Sequence, residues 1–465
     1  MIGSNQVVIR SIRSEIENRM IWNNYSLSKL SELTKINNGH LSGYFNGLRG
    51  LTIGHLDSIA KAFGEEAGWL YELYIEECFP KGKVSRRRVC PYLIRCVEVG
   101  RHDCLKPVVA RLLENPKNID ILYFVAEKLF WKGNRKQAIY FYQLVIENDK
   151  NSYSERFILS QYRLFRALQG TNAEVNWNAV VRFDPYWKRL SEIDQLDALL
   201  QLANTCFTLH KWQEVERYAD ELIELSTLIY RNLRKSKQTI ESFKTERHFV
   251  VYYGQGYLLK SVSLEKQGFY EQAKEFIPKY TDLSWFPFLN EVGQKEVKKF
   301  RQWGIANKYT LDVLMGQITV LPDYVQFLEN NPDELLSGLV TITESANTHG
   351  FSIDRILDRF LREIISFNDF HDPINVDRHL RFRYHLAIYR FKNECFKDGI
   401  IDTLRCMKLS ITMNSHKDFI RCVTLFEAHR YHATDSQVFE YKEIMEEVRK
   451  NESLFAFTGN GLWIV

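Results

Sequence analysis

Several things are scarce in this chain of 465 residues, and each shortage removes a class of explanation. Only ten prolines occur, too few and too dispersed for a β-rich or disordered body. The eight cysteines (Cys78, Cys90, Cys96, Cys104, Cys206, Cys395, Cys406 and Cys422) include no C-x-x-C pair, so a zinc site or disulfide framework is not expected, and buried reduced thiols are. No apolar run is long enough to span a bilayer, and the opening MIGSNQVVIRS lacks the core of a signal peptide; the expectation is a cytoplasmic protein with no membrane partner.

Net charge is only +4, nearly neutral for the length, so the chain is not a bulk polyanion binder. Motifs of catalysis are missing too: there is no G-x-x-x-x-G-K phosphate loop, no H-E-x-x-H and no G-x-S-x-G elbow. His371 and His379 lie near acids and arginines but lack a third partner at a recognisable spacing. No enzyme, no cofactor and no metal site is expected.

What is present is helical periodicity, concentrated first in Ser26 to Leu51, SLSKLSELTKINNGHLSGYFNGLRGL. Leu30, Leu33 and Ile36 recur at helical spacing, as do Leu41, Tyr44 and Phe45 after an Asn37-Asn38-Gly39 break. This predicts two short helices joined by a tight turn. Ser26 and Asn37 supply side-chain oxygens that can accept unpaired amide hydrogens in the two opening turns, and Asn46-Gly47 stops the second helix. Flanking helices carry Val8, Ile12, Ile16 and Met20 upstream and, after Thr52, Ile53, Leu56, Ile59, Ala60 and Phe63 downstream. Such short helices are marginal alone, so residues 1–75 must share one small core.

The run L-S-E-L-T-K-I-N-N-G-H-L-S-G-Y-F-N-G-L-R resembles the helix-turn-helix of the lambda-repressor and Cro family, with Ser31 where that family prefers Ala and Lys35 where it prefers Gly. The resemblance implies that the second helix enters the major groove of double-stranded DNA, with Asn38, Gly39, Ser42 and Gly43 facing bases. Asn38 has the two-point chemistry for adenine. Lys29, Lys35, His40, Asn46 and Arg49 then become backbone contacts. The alternative is that Asn38 only caps its helix. The segment KGKVSRRR at 81–88 follows Pro80 and reads as part of a basic linker over 76–90, either a solvated hinge or a strip lying along the DNA backbone.

Beyond Cys90 helix-length patterns recur as a loose unit through 91–450. Leu122, Val125, Ala126 and Leu129, then Gly133, then Ala138, Tyr142 and Val145 make one copy. The same slots hold Leu199, Leu202, Ala203, Cys206, Trp212, Val215, Ala219 and Leu222; then Tyr257, Ser261, Leu264, Gly268, Tyr270, Ala273 and Ile277; then Tyr384, Ala387, Phe396, Gly399, Thr403 and Cys406. Patterns around 154–168, 307–328 and 335–365 read as further degenerate repeats. The series is similar to the tetratricopeptide repeat, so the expected fold is all-α: a helix-turn-helix bundle followed by a right-handed tetratricopeptide-like solenoid.

That combination resembles the peptide-pheromone receptors of Gram-positive bacteria and their phages, the Rgg, PlcR, NprR, PrgX and AimR group. The resemblance implies a homodimeric transcription regulator of the quorum-sensing type, whose solenoid holds a short linear signalling peptide in its concave groove. Asn and Gln suit such a groove because one side chain offers an extended backbone both a donor and an acceptor. Candidates are Glu127, Gln161, Arg163, Gln201, Asn204 and Gln255, with Asn307, Asn347, Arg383 and Tyr384 at the far end. The alternative is a protein-interaction adaptor tethered to DNA, with no peptide ligand. The apolar tail at 451–465, with Leu454, Phe455, Phe457, Leu462, Trp463, Ile464 and Val465, needs a cover, whether its own last helices, a dimer partner or the groove.

Overall fold

The computed structural model describes residues 10–170, 172–236, 245–287, 289–413 and 415–458, without the side chains of 373 and 451–458. The described residues form helices and the turns that connect them, and none forms a strand. Two compact units divide the chain, residues 1–211 and 212–465.

The first unit opens with α1 (Ile12–Trp22), α2 (Leu27–Thr34), α3 (Asn38–Phe45), α4 (Ile53–Ala62) and α5 (Tyr71–Cys78). The first four starts have a chemical reason. The side chains of Ser11, Ser26, Asn37 and Thr52 accept amide hydrogens from Ser14, Lys29, Gly39 and His55 respectively. Leu30, Leu41, Tyr44, Leu56 and Ile59 close the core between them.

Residues 76–90, expected as a linker, are mostly helix. After one 3-10 turn at Pro80–Gly82 the chain enters α6 (Arg86–Glu98), whose Val89 and Cys90 are already buried. A single apolar core then runs without a break from Ile12 to Leu168, through α6, α7 (His102–Leu113), α8 (Ile119–Trp131), α9 (Arg135–Asn148) and α10 (Glu155–Leu168). Polar bonds cross the expected boundary as well. Asp57 on α4 accepts from the Tyr71 hydroxyl at 2.6 Å and from Arg95 Nε of α6 at 2.8 Å. Tyr92 of α6 donates to Tyr71 O at 2.8 Å, Arg88 pairs with Glu77 at 2.7 Å, and Arg101 reaches both Glu72 and the Gly68 carbonyl. The unit ends with α11 (Ala173–Phe183) and α12 (Glu192–Thr208).

The second unit contains α13 (Trp212–Ser236), α14 (Phe249–Lys266), α15 (Tyr270–Thr281), α16 (Glu291–Leu314), α17 (Leu321–Asn330), α18 (Pro332–His349), α19 (Asp354–Arg359), α20 (Leu361–Ser366), α21 (Pro373–Lys392), α22 (Phe396–Thr412), α23 (His416–His429) and α24 (Asp435–Thr458). Long helices pack chiefly on the helices next to them in sequence, in the manner of a repeat array: α13 on α14, α14 on α15, α15 on α16, then α21 on α22 and α22 on α23. Small residues mark the close crossings. Ser261 donates to the Ala273 carbonyl at 2.8 Å, and a Cβ on Gly399 would stand 2.6 Å from the Phe391 ring. Gly133 and Gly268 turn the chain between paired helices at positive φ, 89° and 85°, which a side chain rarely adopts. Of the expected tail, α24 carries the backbone to Thr458, and 459–465 lie outside the described residues.

A buried polar knot sits inside the second unit. Asp402 is fully buried and accepts from Arg383 at 3.0 Å and from Arg390 at 2.6 Å, while Arg383 Nε donates to His379 Nε2 at 3.0 Å. The His379 pKa is lowered to about 4, first by burial and then by the charges of Arg383 and Arg405. None of the eight cysteines is in a disulfide, and Cys395 alone is exposed.

Two outcomes are expected. Asp57→Ala strands the buried Tyr71 hydroxyl and leaves Arg95 with Glu98 alone, at 3.2 Å, lowering stability by about 1–2 kcal/mol in urea unfolding of the full chain; an unchanged midpoint would show that the crossing bonds contribute nothing net. His379 binds a proton more weakly folded than unfolded, so its contribution is present above pH 6.5 and is lost as pH falls towards about 4. That amounts to about 3 kcal/mol at pH 4. His379→Gln, which retains an acceptor for Arg383, should flatten this part of the stability profile between pH 7 and 4.

Candidate functional site

α2 and α3 are joined by Lys35, Ile36 and Asn37, and the turn is held from three sides. Ser31 Oγ donates to the Ile36 carbonyl at 2.6 Å, Thr34 Oγ1 accepts from the Ile36 amide at 3.3 Å, and Asn37 Oδ1 accepts from the Gly39 amide at 2.8 Å. Ser31 therefore does what an alanine could not, tying the helix to the turn that follows. Lys35 adopts the left-handed conformation, φ 59°, in which glycine alone is unstrained.

Because Asn37 is the cap, the Asn38 side chain is spent on nothing: it is exposed on the first turn of α3 and makes no hydrogen bond among the described residues. Gly39 and Asn46 are exposed beside it, Ser42 and Gly43 half-buried, and Leu41 and Tyr44 face inward. Asn46 donates weakly to Ser42 Oγ at 3.4 Å. His40 is half-buried edge-on to His55, ring centres 4.8 Å apart, and its Nε2 has no hydrogen-bond partner. Burial, followed by the neighbouring His40, lowers the His55 pKa.

The cations around α3 differ in how free they are. Lys29 is exposed but pairs with Glu32 at 3.0 Å. Lys35 and Arg49 are exposed and form no ion pair among the described residues. Arg49 folds its stem across α3 at Gly43, where an added Cβ would lie 3.1 Å from Arg49 Cδ. Arg13 was not among the sequence candidates, yet its guanidinium lies 5.6 Å from the Tyr44 ring centre and stands against Gly47. No motif marked it, since it belongs to α1 and meets the turn only through the fold.

The polar residues predicted for a peptide groove divide evenly between the units. In the first unit Glu127 accepts from Tyr142 at 2.6 Å and from Trp131 at 3.2 Å and pairs with Arg163 at 3.5 Å, so both charged candidates are engaged internally. Gln161 is buried with its Oε1 unpartnered. Gln201 and Asn204 on α12 are half-buried and make no side-chain hydrogen bond among the described residues. In the second unit Gln255 is likewise uncommitted. Asn307 donates to Tyr280 Oη at 2.9 Å, Asn347 to the His385 carbonyl at 2.8 Å, and Tyr384 lies under Arg421 at 4.5 Å. Arg383 belongs to the buried Asp402 knot and faces no groove.

Sequence reasoning missed a cavity of about 440 Å³ in the second unit, bordered by Tyr270, Glu271, Met315, Glu344 and His349, and none of the ten candidates lines it. Its walls come from the starts and ends of different helices, which no single periodicity connects. Among the described residues no group of three or more His, Cys, Asp or Glu is placed to hold a metal ion, and no helix is long and apolar enough to cross a membrane.

No family model matches the chain, and no curated protein matches it. Among solved structures it is similar to a circular tandem repeat protein with novel repeat topology and enhanced subunit contact surfaces. That match is 11% identical, covers 95% of this chain and 100% of the other, and has a TM-score of 0.19, too loose a superposition to carry a structural argument.

The turn yields a prediction. Lys35→Gly relieves a left-handed side chain and should raise stability by about 0.5–1 kcal/mol, after allowing for the extra freedom of glycine in the unfolded chain. Urea unfolding reads it directly. A loss of stability would mean that the lysine stem packs usefully where it lies.

Proposed function

We propose that the chain is a sequence-specific DNA-binding regulator, with α2 and α3 as its helix-turn-helix and the remaining helices as a tetratricopeptide-like sensor for a short peptide, acting as a homodimer. The observation that carries this reading is Asn38. Its amide is exposed and uncommitted at the start of a short helix whose outward face is otherwise small and polar, Gly39, Ser42, Gly43 and Asn46. An asparagine amide there offers one donor and one acceptor, the pair that adenine presents in the major groove. Arg49 and Lys35 flank the same face with free charge suited to phosphate. So small a reading surface covers few base pairs, which is why a dimer on paired half-sites is part of the proposal.

For the peptide, support comes from Gln201 and Asn204 in the first unit and, separately, from Gln255 in the second, whose amides have no hydrogen-bond partner among the described residues. Binding would act on DNA only if the peptide prefers one arrangement of the helices over another.

One observation favours a second reading. Glu127, Arg163, Asn307 and Arg383 spend their polar groups inside the protein, which thins the polar lining a peptide would need. An adaptor that holds a protein partner on its helical body, with the head tethering it to DNA, fits that state.

One experiment separates the two: binding of the purified protein to fragments of its own genomic neighbourhood, with and without synthetic peptides from small neighbouring reading frames. A peptide-dependent shift in affinity supports the receptor, and DNA binding that no peptide alters supports the adaptor. Asn38→Ala should weaken the selected fragment by about tenfold or more, the loss of one bidentate base contact, with little effect on random DNA. Equal losses on both would make Asn38 a backbone contact.

A further inference from the structure

The basic run at 81–88 is not a tether between the head and the helical body. Its place in the fold gives it a different use. The loop that follows α3, Asn46 to Gly50, is short, and both Leu48 and Arg49 amides return to the Gly43 carbonyl, at 2.8 and 3.1 Å. The loop is therefore fixed to the end of α3. Two glycines, one on α3 and one at the end of this loop, meet different arginines. Arg49 lays its own stem over Gly43, while Gly50 meets the guanidinium of Arg88, so closely that a Cβ on Gly50 would collide with it. The first turn of α6 thus abuts the loop at the end of the candidate reading helix.

Arg88 itself is committed, bonded to the Glu77 carboxylate at 2.7 Å and to the Glu77 carbonyl at 3.0 Å. That anchors the basic turn. Around it Lys81, Lys83 and Arg87 are exposed and form no ion pair among the described residues, and Arg86 rests 5.2 Å from the Phe124 ring centre with its charge unpaired. Glu76 and Glu77, the carboxylates at the end of α5, are already taken by Arg111 and Arg88. Positive charge is left over here, on the turn whose Arg88 meets Gly50, the residue after Arg49.

We infer that Lys81, Lys83 and Arg87 form a second contact with the phosphate backbone of duplex DNA, continuous with Arg49 and seated on the strand that borders the groove occupied by α3. The inference rests on the reading of α3 given above and adds a partner surface from outside the first 75 residues. Duplex DNA is the occupant because of charge complementarity: its phosphates present about one negative charge per 1.7 Å of axis, and several clustered cations on a fixed support match that line without reference to sequence. The contact of Arg88 with Gly50, next in sequence to Arg49, supplies the register.

The test uses the full chain and two duplexes of about 30 base pairs, one of random sequence and one selected for binding, titrated between about 50 and 200 mM salt. The K81Q/K83Q/R87Q variant should lose about tenfold or more in affinity for both duplexes, and its salt slope should fall by about 2–3, close to one per phosphate contact removed. A K279Q/K295Q/K298Q variant, which removes the same charge from exposed positions of the second unit, should keep the wild-type slope. Thermal unfolding should be the same for all three proteins, because every substituted side chain is exposed. If wild type binds and K81Q/K83Q/R87Q retains its slope, the second contact is wrong while the reading of α3 stands. If both triple variants lose slope equally, overall charge is responsible and the inference also fails. If wild type binds neither duplex, both readings fall together.

Discussion

Three tyrosines determine how the first unit is built. Tyr74 stacks on Tyr92 at 5.4 Å, Tyr92 donates to the Tyr71 carbonyl, and Tyr74 donates to the Leu51 carbonyl at 2.9 Å. All three are fully buried, so each hydroxyl had to find a partner or forfeit the hydrogen bonds it made to water. Their partners are main-chain carbonyls and Asp57, which lie on α4, on α5 and in the loop after α3. Satisfying these hydroxyls therefore fixes α5 and α6 against the head, and the position of that loop follows from the same bonds.

Much of this architecture was legible in the sequence, and the reason is locality. Caps act over two or three residues, so Ser26, Asn37 and Thr52 could be identified from spacing alone, and the structure uses each one. The repeat slots were legible for a similar reason: Leu122, Ala126, Leu129, Ala138 and Tyr142 are all buried, because a helix pair buries one stripe per helix and turns at a glycine. The basic run at 81–88 was not legible in this sense. Composition suggests a solvated linker, whereas Arg88 meets Glu77 and Gly50, and Arg86 meets Phe124, contacts that depend on how separate helices come together. The groove candidates show the same limit. A polar residue facing a ligand and one facing an internal partner recur with the same period, so Glu127 and Asn204 look alike until Tyr142 and Trp131 are placed beside the first.

The second unit solves a harsher problem at Asp402. A fully buried carboxylate is tolerated only when opposite charge and hydrogen bonds replace its hydration, and here Arg383 and Arg390 both converge on it. His379 extends the set by accepting from Arg383, and it can do so only as the neutral imidazole. Helices α21 and α22 are thus joined by groups whose roles are fixed by protonation as well as by shape.

The unbroken core from Ile12 to Leu168 bears on ancestry as well as on stability. A small helical bundle carried on a solvated tether can be exchanged between proteins by recombination, because its boundary exposes little when cut. Here a cut near residue 80 would bare Tyr71, Tyr74 and Cys78 on one side and Val89, Tyr92 and Leu93 on the other. Head and body would then have to change together, each substitution on one face constraining what the other accepts, and the pair would be inherited as one piece.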